Sequence, residues 1–387
     1  MIDSDIMQLA LRLARRGYGM TSPNPMVGAV LVQKGKMIGQ GWHRQAGLPH
    51  AEIEALLDAE AKGFDAKGAT LFVTLEPCCT HGRTPPCTDA IIAAGIRKVV
   101  VAATDPNPAH SGKAFRLLKR AGIEVVHGVL ADEAERLNEA FNHWIVHRTP
   151  FVTLKVAMTL DGKIATASGE SKWITGPKAR AYGMRLREGA DAILVGINTV
   201  LADDPSLTAR AISNFKFQIQ NPKRRIILDS LARTPLTAKV VNDELAAWTT
   251  IVVSRGAPKK QVQALAKRVR VIVAPIKQSK IKSQKSEIDL HWLMKKLGEE
   301  QVTNILVEGG GEVNASFLPG GLAHRVAFFY APKILGGRDA RKGVSGDGIK
   351  RVADTIKLHD VGFKWLGPDL LLTGRILNAD GSMRGAR

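Results

Sequence analysis

The sequence predicts an α/β protein of two domains, each a sheet flanked by helices. Three observations predict it. The chain has 387 residues, more than one hydrophobic core usually serves. Short apolar runs alternate with helix-forming segments along most of its length. Near residues 146–150 (VHRTP) the pattern pauses, and strand-like FVTLKVAMT then restarts it. The domains are read as 1–147 and 148–387.

Each element has a local reason. Ile6 to Arg16 carries apolar residues at helical spacing, and the apolar run Met26 to Gln33 suits a buried strand. Ala51 to Ala61 is rich in Ala, Leu and Glu, all strong helix formers. Ala69 to Leu75 and Lys98 to Ala103 read as strands. Between them a helix over Thr88 to Ala94 closes at Gly95. A helix over Ala114 to Ala121 ends at Gly122, and Ile123 to His127 is a further strand. Such alternation predicts a three-layer sandwich for the first domain. In the second domain, strands are expected at 151–159, 192–195, 224–229, 249–254, 270–273, 304–307 and 325–330. Helices are expected at 177–188, 260–268, 289–298 and 313–318. Residues 213–222 and 275–288 read as surface insertions.

Composition excludes several classes. The hydrophobic fraction is 45% and the charged fraction 24%, so the chain can bury real cores and is not a disordered segment. The N-terminus lacks the basic-then-apolar plan of a secretory leader, and no apolar run reaches membrane-spanning length. Three cysteines, Cys78, Cys79 and Cys87, do not make a disulfide framework, and a cytoplasmic location is expected. The net charge is +19, yet residues 1–150 hold 17 basic against 15 acidic residues, so +17 lies in the second half. Part of that is the Lys-rich run 277–285, read as a solvated loop. The charge raises a nucleic-acid-binding alternative. Against it stand the nearly neutral first half and an aromatic content of only 5%, since single-strand binders add aromatic stacking platforms. No nucleic-acid or membrane partner is expected.

The first domain carries a metal-ligand pattern. His50-Ala51-Glu52 is followed by Pro77-Cys78 and then Cys87, the order of the zinc deaminase signature. Zinc accepts one imidazole and two thiolates, leaving a fourth position for the water that attacks the ring. Glu52, two residues after His50, is the candidate to carry protons between water, ring nitrogen and departing amine. His50 and Cys87 fall at predicted helix starts, where positive partial charge favours thiolate. A structural zinc normally takes four protein ligands, and no fourth is evident. The usual C-x-x-C is here widened to eight intervening residues. Cys79, adjacent to Cys78, is read as a spectator.

Three segments then make the resemblance specific: TSPNPMVGAV (21–30), GWHRQAGLPHAE (41–52) and TLEPCCTHGRTPPCTDAI (74–91). They resemble the deaminase half of the bifunctional riboflavin-biosynthesis deaminase–reductases, whose mark is the long HGRTPP insert between the cysteines. The resemblance implies a cytidine-deaminase-like fold and one zinc ion per chain. It also implies deamination of a 2,5-diamino-6-ribosylamino-pyrimidinone 5′-phosphate. Asn24 looks like the family's base-reading residue, although an Asn before Pro also caps turns. His43, His81 and Arg83 are candidate phosphate or ribose contacts, and Asn107 is a candidate pocket residue.

The second domain lacks the G-x-G-x-x-G fingerprint of a dinucleotide-binding unit. It does place Gly309-Gly310-Gly311 between a predicted strand and a predicted helix, where backbone N–H groups can approach phosphate. Segments 155–176, 191–210 and 305–318 resemble the reductase half of the same family, in the same order. The likeness thins at 211–222, at 275–288 and after about 340. It implies a dihydrofolate-reductase-like domain that binds NADPH and reduces the ribosyl group to a ribityl chain. Carried over by position, the cofactor side holds Ala157, Trp173, Thr199 and Asp203. It continues through the turn Gly310, Gly311, Glu312, Val313, Asn314, Ala315 and Ser316. The substrate side holds Ser171, Arg187, Leu207, Arg210 and Glu308, with both arginines expected at the ribose phosphate. Family members imply a homo-oligomer, dimer or tetramer.

Overall fold

The computed structural model describes residues 2–82, 85–209, 222–275 and 288–378. Between Arg148 and Thr149 the chain divides into two compact units. The first unit runs α1 (Asp3–Ala14), β1 (Gly28–Gln33), β2 (Lys36–Trp42), α2 (Ala51–Ala61), β3 (Thr70–Leu75), α3 (Cys87–Ala93), β4 (Lys98–Ala103), α4 (Lys113–Arg120), β5 (Glu124–His127), α5 (Ala131–Leu137) and α6 (Glu139–His147). Its five-stranded sheet has the order β2-β1-β3-β4-β5. β1 is antiparallel to both neighbours, while β3, β4 and β5 are parallel.

Strand alternation builds the layers. Val99 and Val101 of β4 join Leu71, Ile91 and Leu118 in a core under α3 and α4. Val100 and Ala102 face the other way, into Met7 and Leu11 of α1 and Ala134 of α5. Both faces of this mixed sheet are covered by helices. Leu118 is fully buried, and cutting it to Ala would cost about 2–5 kcal/mol.

The seat of α2 matters most for the site. Its Ala51, Ala55 and Ala59 recur every four residues and are all buried. They face Gly39 and Gly41 of β2. A Cβ at Gly41 would lie 2.6 Å from the Ala51 carbonyl oxygen, so only glycine lets the helix sit this close. Those same glycines hid β2 from the sequence reading, because glycine weakens strand propensity. Residues 128–147, also not predicted as helix, form α5 and α6, joined at Asn138.

The second unit comprises β6 (Phe151–Thr159), β7 (Lys163–Ala165), α7 (Pro177–Gly189), β8 (Ala192–Gly196), α8 (Ile197–Asp203), β9 (Arg224–Leu228), α9 (Lys239–Asn242), β10 (Thr249–Ser254), α10 (Lys259–Ala266), β11 (Arg270–Ala274), α11 (Leu290–Glu299), β12 (Asn304–Gly309), α12 (Gly311–Phe317), β13 (Arg325–Ala331), β14 (Arg341–Lys342), β15 (Leu358–Leu366) and β16 (Asp369–Ile376). Nine strands lie in the order β11-β10-β9-β8-β12-β6-β13-β16-β15. From β11 to β13 they are parallel; β16 and β15 add an antiparallel hairpin. That hairpin was not predicted. β15 is exposed along nearly its whole length, although Val361, Phe363 and Trp365 alternate in the sequence as a strand's residues do. The Lys-rich run 277–285 and nearly all of both expected insertions lie outside the described residues.

Candidate active sites

In the first unit the sheet edge that carries the ends of β3 and β4 gathers the metal-binding side chains. His50 is the N-cap residue of α2 and Cys87 is the first residue of α3; Cys78 lies in the loop after β3. Their three ligand atoms all lie within 4.8 Å of one another. Nδ1 of His50 stands 3.5 Å from the Cys78 sulfur and 3.3 Å from the Cys87 sulfur. The backbone N–H of Cys87 donates to the Cys78 sulfur at 3.2 Å, which favours the thiolate there. Hydrogen bonding from Cys87 and from His50 holds the Cys78 thiol down at about 4, and the Cys87 thiol is pushed up in return. One imidazole and two thiols fit zinc, with three protein ligands and an open fourth position.

Glu52 is buried in the first turn of α2, within reach of Cys87. Burial, with the Cys78 thiolate beside it, pushes its carboxyl up to about 7. Beside this group stands a histidine–asparagine pair. Nδ2 of Asn24 lies 3.1 Å from Nε2 of His43, and Nδ1 of His43 lies 3.1 Å from the Pro49 carbonyl oxygen. The carbonyl fixes the tautomer: Nδ1–H donates to Pro49, and Nε2 accepts from Asn24. Burial lowers the His43 pKa, keeping the ring neutral. Its ring stands edge-on to His50 at 5.2 Å. Asn24 and His43 therefore join the metal trio.

The other candidates of this unit fall elsewhere. His81 is exposed in the loop between β3 and α3, and Arg83 lies outside the described residues. Asn107 uses its side-chain oxygen to accept the Ala109 N–H at 3.0 Å, shaping its own turn. Cys79 lies 3.8 Å from Nδ1 of His110, turned toward that turn. Two residues escaped the sequence reading. Glu76 is buried, and its carboxylate accepts the N–H groups of Asp105, Gly112 and Ala114 at 2.9–3.2 Å. Its sequence signal was a lone acid at the end of an apolar strand. Asn138 gave no signal; its side chain binds the backbone of Met26 on both sides.

In the second unit the parallel strands β8, β12 and β6 are neighbours, so their carboxyl ends share one edge, where ligands of such sheets bind. Gly309 ends β12, Gly310 takes φ +76°, and Gly311 opens α12. The positive φ of Gly310 is a conformation that residues with a Cβ rarely adopt, and Oγ1 of Thr199 in α8 lies beside it. A dinucleotide phosphate lying against backbone fits such a turn. Asn314 is buried and donates to the Gly343 carbonyl at 2.8 Å, holding that loop over the turn. Ser316 donates to the Glu312 carbonyl, within the helix. Ala157 lies half-buried on β6.

Trp173 is 65% exposed, which excludes a core role, and the Arg180 guanidinium lies 4.6 Å from its ring centre. Ser171 donates to Asp203 at 3.0 Å, joining a residue expected on the substrate side to one expected on the cofactor side. Arg187 was expected at a phosphate; here its fork grips Glu308 through two bonds of 2.7 Å and donates to the Thr208 carbonyl. Burial opposes charge on Glu308, yet Lys155 and Arg187 hold its carboxyl down at about 2. Lys155, with its Nζ 3.9 Å from Glu308, was missed as a candidate, although a single Lys in apolar FVTLKVAMT marked it. Leu207 is buried at φ +49° beside Ser206, whose carbonyl accepts from the fully buried Arg225. Arg210 lies outside the described residues.

Comparison with known proteins agrees with both halves. Residues 1–103 match the cytidine and deoxycytidylate deaminase zinc-binding region, and residues 150–372 match the RibD C-terminal domain. The chain is 46% identical over 373 residues to the riboflavin biosynthesis protein RibD of Aquifex aeolicus, covering 96% of this chain and 98% of that one. It is 42% identical over 372 residues to RibD of Actinobacillus pleuropneumoniae, covering 96% and 95%. The solved RibD of Acinetobacter baumannii superimposes with a TM-score of 0.84 at 38% identity, over 97% of this chain and 99% of that one. A diaminohydroxyphosphoribosylaminopyrimidine deaminase/5-amino-6-(5-phosphoribosylamino)uracil reductase from Thermotoga maritima gives 0.80 at 36%, over 97% and 98%.

Proposed function

This chain belongs to the RibD family of bifunctional riboflavin-biosynthesis enzymes, and from that premise we propose how its residues divide the work. It is a zinc-binding deaminase in its first unit and an NADPH-dependent reductase in its second. The first reaction removes the ring amine of 2,5-diamino-6-ribosylamino-4(3H)-pyrimidinone 5′-phosphate. The second opens the ribosyl group of the product to a ribityl chain. The observation that carries the reading is the buried carboxyl of Glu52 beside three metal-ligand atoms within 4.8 Å.

His50, Cys78 and Cys87 hold zinc, which when bound supplies an acidified water at the fourth position. Glu52, beside these ligands, would serve as the proton carrier, giving one proton to the ring nitrogen and one to the departing amine. Asn24 reads the edge of the pyrimidine through its remaining donor and acceptor. His43 orients Asn24, and His81 and Arg83 are the candidates to bind the ribose phosphate. Asn107 shapes the adjoining loop.

In the second unit NADPH supplies the reducing equivalents. The turn Gly310–Ser316 and Thr199 receive its phosphates, Trp173 covers the nicotinamide side, and Ala157 and Asp203 complete the wall. Ser171, Leu207 and Arg210 hold the substrate. The Arg187–Glu308–Lys155 cluster presents a fixed charge pattern to its sugar.

The enzyme works in the cytoplasm as a homo-oligomer, dimer or tetramer. Among the described residues no helix is long and apolar enough to cross a membrane. The edge strand β15, with Phe363 and Trp365 65% and 71% exposed, offers unpaired backbone and aromatic surface to a second copy. Sedimentation velocity tests this; a monomer at working concentration would overturn it.

Mass spectrometry of the diaminopyrimidine ribosyl phosphate, incubated with zinc-loaded enzyme, tests the two activities. Loss of the amine without NADPH, and the ribityl product only with it, is the expected result. Intact substrate despite bound zinc and NADPH would overturn it.

A further inference from the structure

We propose that Asn138, at the junction of α5 and α6, is a positioning residue for pyrimidine recognition: its amide clamps Met26 and so sets where Asn24 meets the base. The proposal rests on the reading of Asn24 as the base-reading residue.

The clamp is a matched pair. Oδ1 of Asn138 accepts the Met26 N–H and Nδ2 donates to the Met26 carbonyl, each at 2.8 Å. Asn and Gln alone among neutral side chains offer a carbonyl acceptor and an NH2 donor side by side. Asn138 is 4% exposed and is itself held, because its carbonyl accepts the Asn142 N–H at 2.8 Å. The two helices thus grip the chain just before β1 by the same pattern that a neighbouring strand would use.

The grip reaches Asn24 with little slack. Asn24 is two residues before Met26, between Pro23 and Pro25, whose rings fix their own φ. The Asn24 N–H donates to the Thr21 carbonyl at 2.8 Å. On the far side, the Val27 carbonyl accepts the His43 N–H at 2.9 Å, and Gly28 donates to Oγ1 of Thr74 at 3.1 Å. From Asn24 the contacts continue to His43 at 3.1 Å and to the His50 ring at 5.2 Å. Among the described residues no hydrogen bond joins Asn138 to the proposed ligands or to Glu52, so its effect on chemistry must pass through the loop.

A double-mutant cycle in the full-length, zinc-loaded enzyme tests this. Asn24→Ala, Asn138→Ala and the double variant are compared for zinc content, thermal unfolding, and kcat and KM of deamination; reduction in the same chain is the control. Losing two backbone hydrogen bonds at Asn138 raises the deamination KM about tenfold, with kcat changed less than about threefold. Zinc stays at one per chain and reduction is unchanged. The double variant is no worse than Asn24→Ala, because both changes act on one contact. Should Asn138→Ala fail to retain zinc, the isosteric Asn138→Asp carries the same test. Additive losses, or lower stability with unchanged KM in the zinc-loaded protein, would overturn the clamp. An unchanged KM in Asn24→Ala alone would overturn the base-reading role instead.

Discussion

The two catalytic units differ in how their chemistry is written into side chains. The first gathers one imidazole, two thiols and one carboxyl, and few other residues could replace any of them. The second spreads its site over loops leaving β6, β8 and β12, where glycine backbone and an internal ion pair do most of the shaping. A metal dictates residue identity, whereas a dinucleotide accepts many walls of the right shape. The first kind of site declares itself in sequence, and the second needs a fold to become visible.

The sharpest way to break this contrast is Glu52→Gln. Deamination falls by about 10²–10⁴-fold, the usual worth of a general acid–base. Zinc content and NADPH-dependent reduction hold. Parallel loss of both activities would mean that the units are not separable. Cys87→Ser comes next: zinc per chain drops, measured by atomic absorption, and deamination goes with it while reduction persists.

On the reductase side the effect is smaller, since no single group dominates. Glu308→Gln leaves Arg187 and Lys155 without their carboxylate. It costs about 1–3 kcal/mol of stability in the second unit and lowers reductase kcat/KM, with deamination intact. The same pair gives a pH signature with a definite sign. The Glu308 carboxyl is held down at about 2 against an ordinary 4.5. Its pairing therefore stabilises the fold fully above about pH 4.5, and that contribution is lost as pH falls toward 2. Acid unfolding of Glu308→Gln lacks that step, and an identical acid limb in both proteins would sink the assignment. The mildest change is Glu76→Gln. It replaces a carboxylate that holds three backbone N–H groups, costs about 1–2 kcal/mol, and lowers the melting temperature of the first unit before its activity.

Much of this was legible beforehand. The spans of α2, β4, β6 and β10 coincide with the sequence reading, because helix formers dominate the first and apolar or β-branched residues the other three. β2 was lost to the glycines that α2 requires. His50, Cys78, Cys87 and Glu52 were singled out in the sequence by their chemistry, and the fold brings them together. Glu76, Asn138 and Lys155 were not, because each works by holding a backbone segment or another charge. Their partners are 29 to 153 positions away along the chain or meet them only across the sheet.

The Asn138–Met26 pair also fixes how short a working deaminase could be. The zinc-binding region matched among known families ends at residue 103, and the trio His50, Cys78 and Cys87 ends earlier. A fragment cut at either point would keep that trio and discard the hydrogen bonds between Asn138 and Met26. The minimal excisable module therefore extends through α6, and a gene fusion or transplant of this activity should carry the chain to His147.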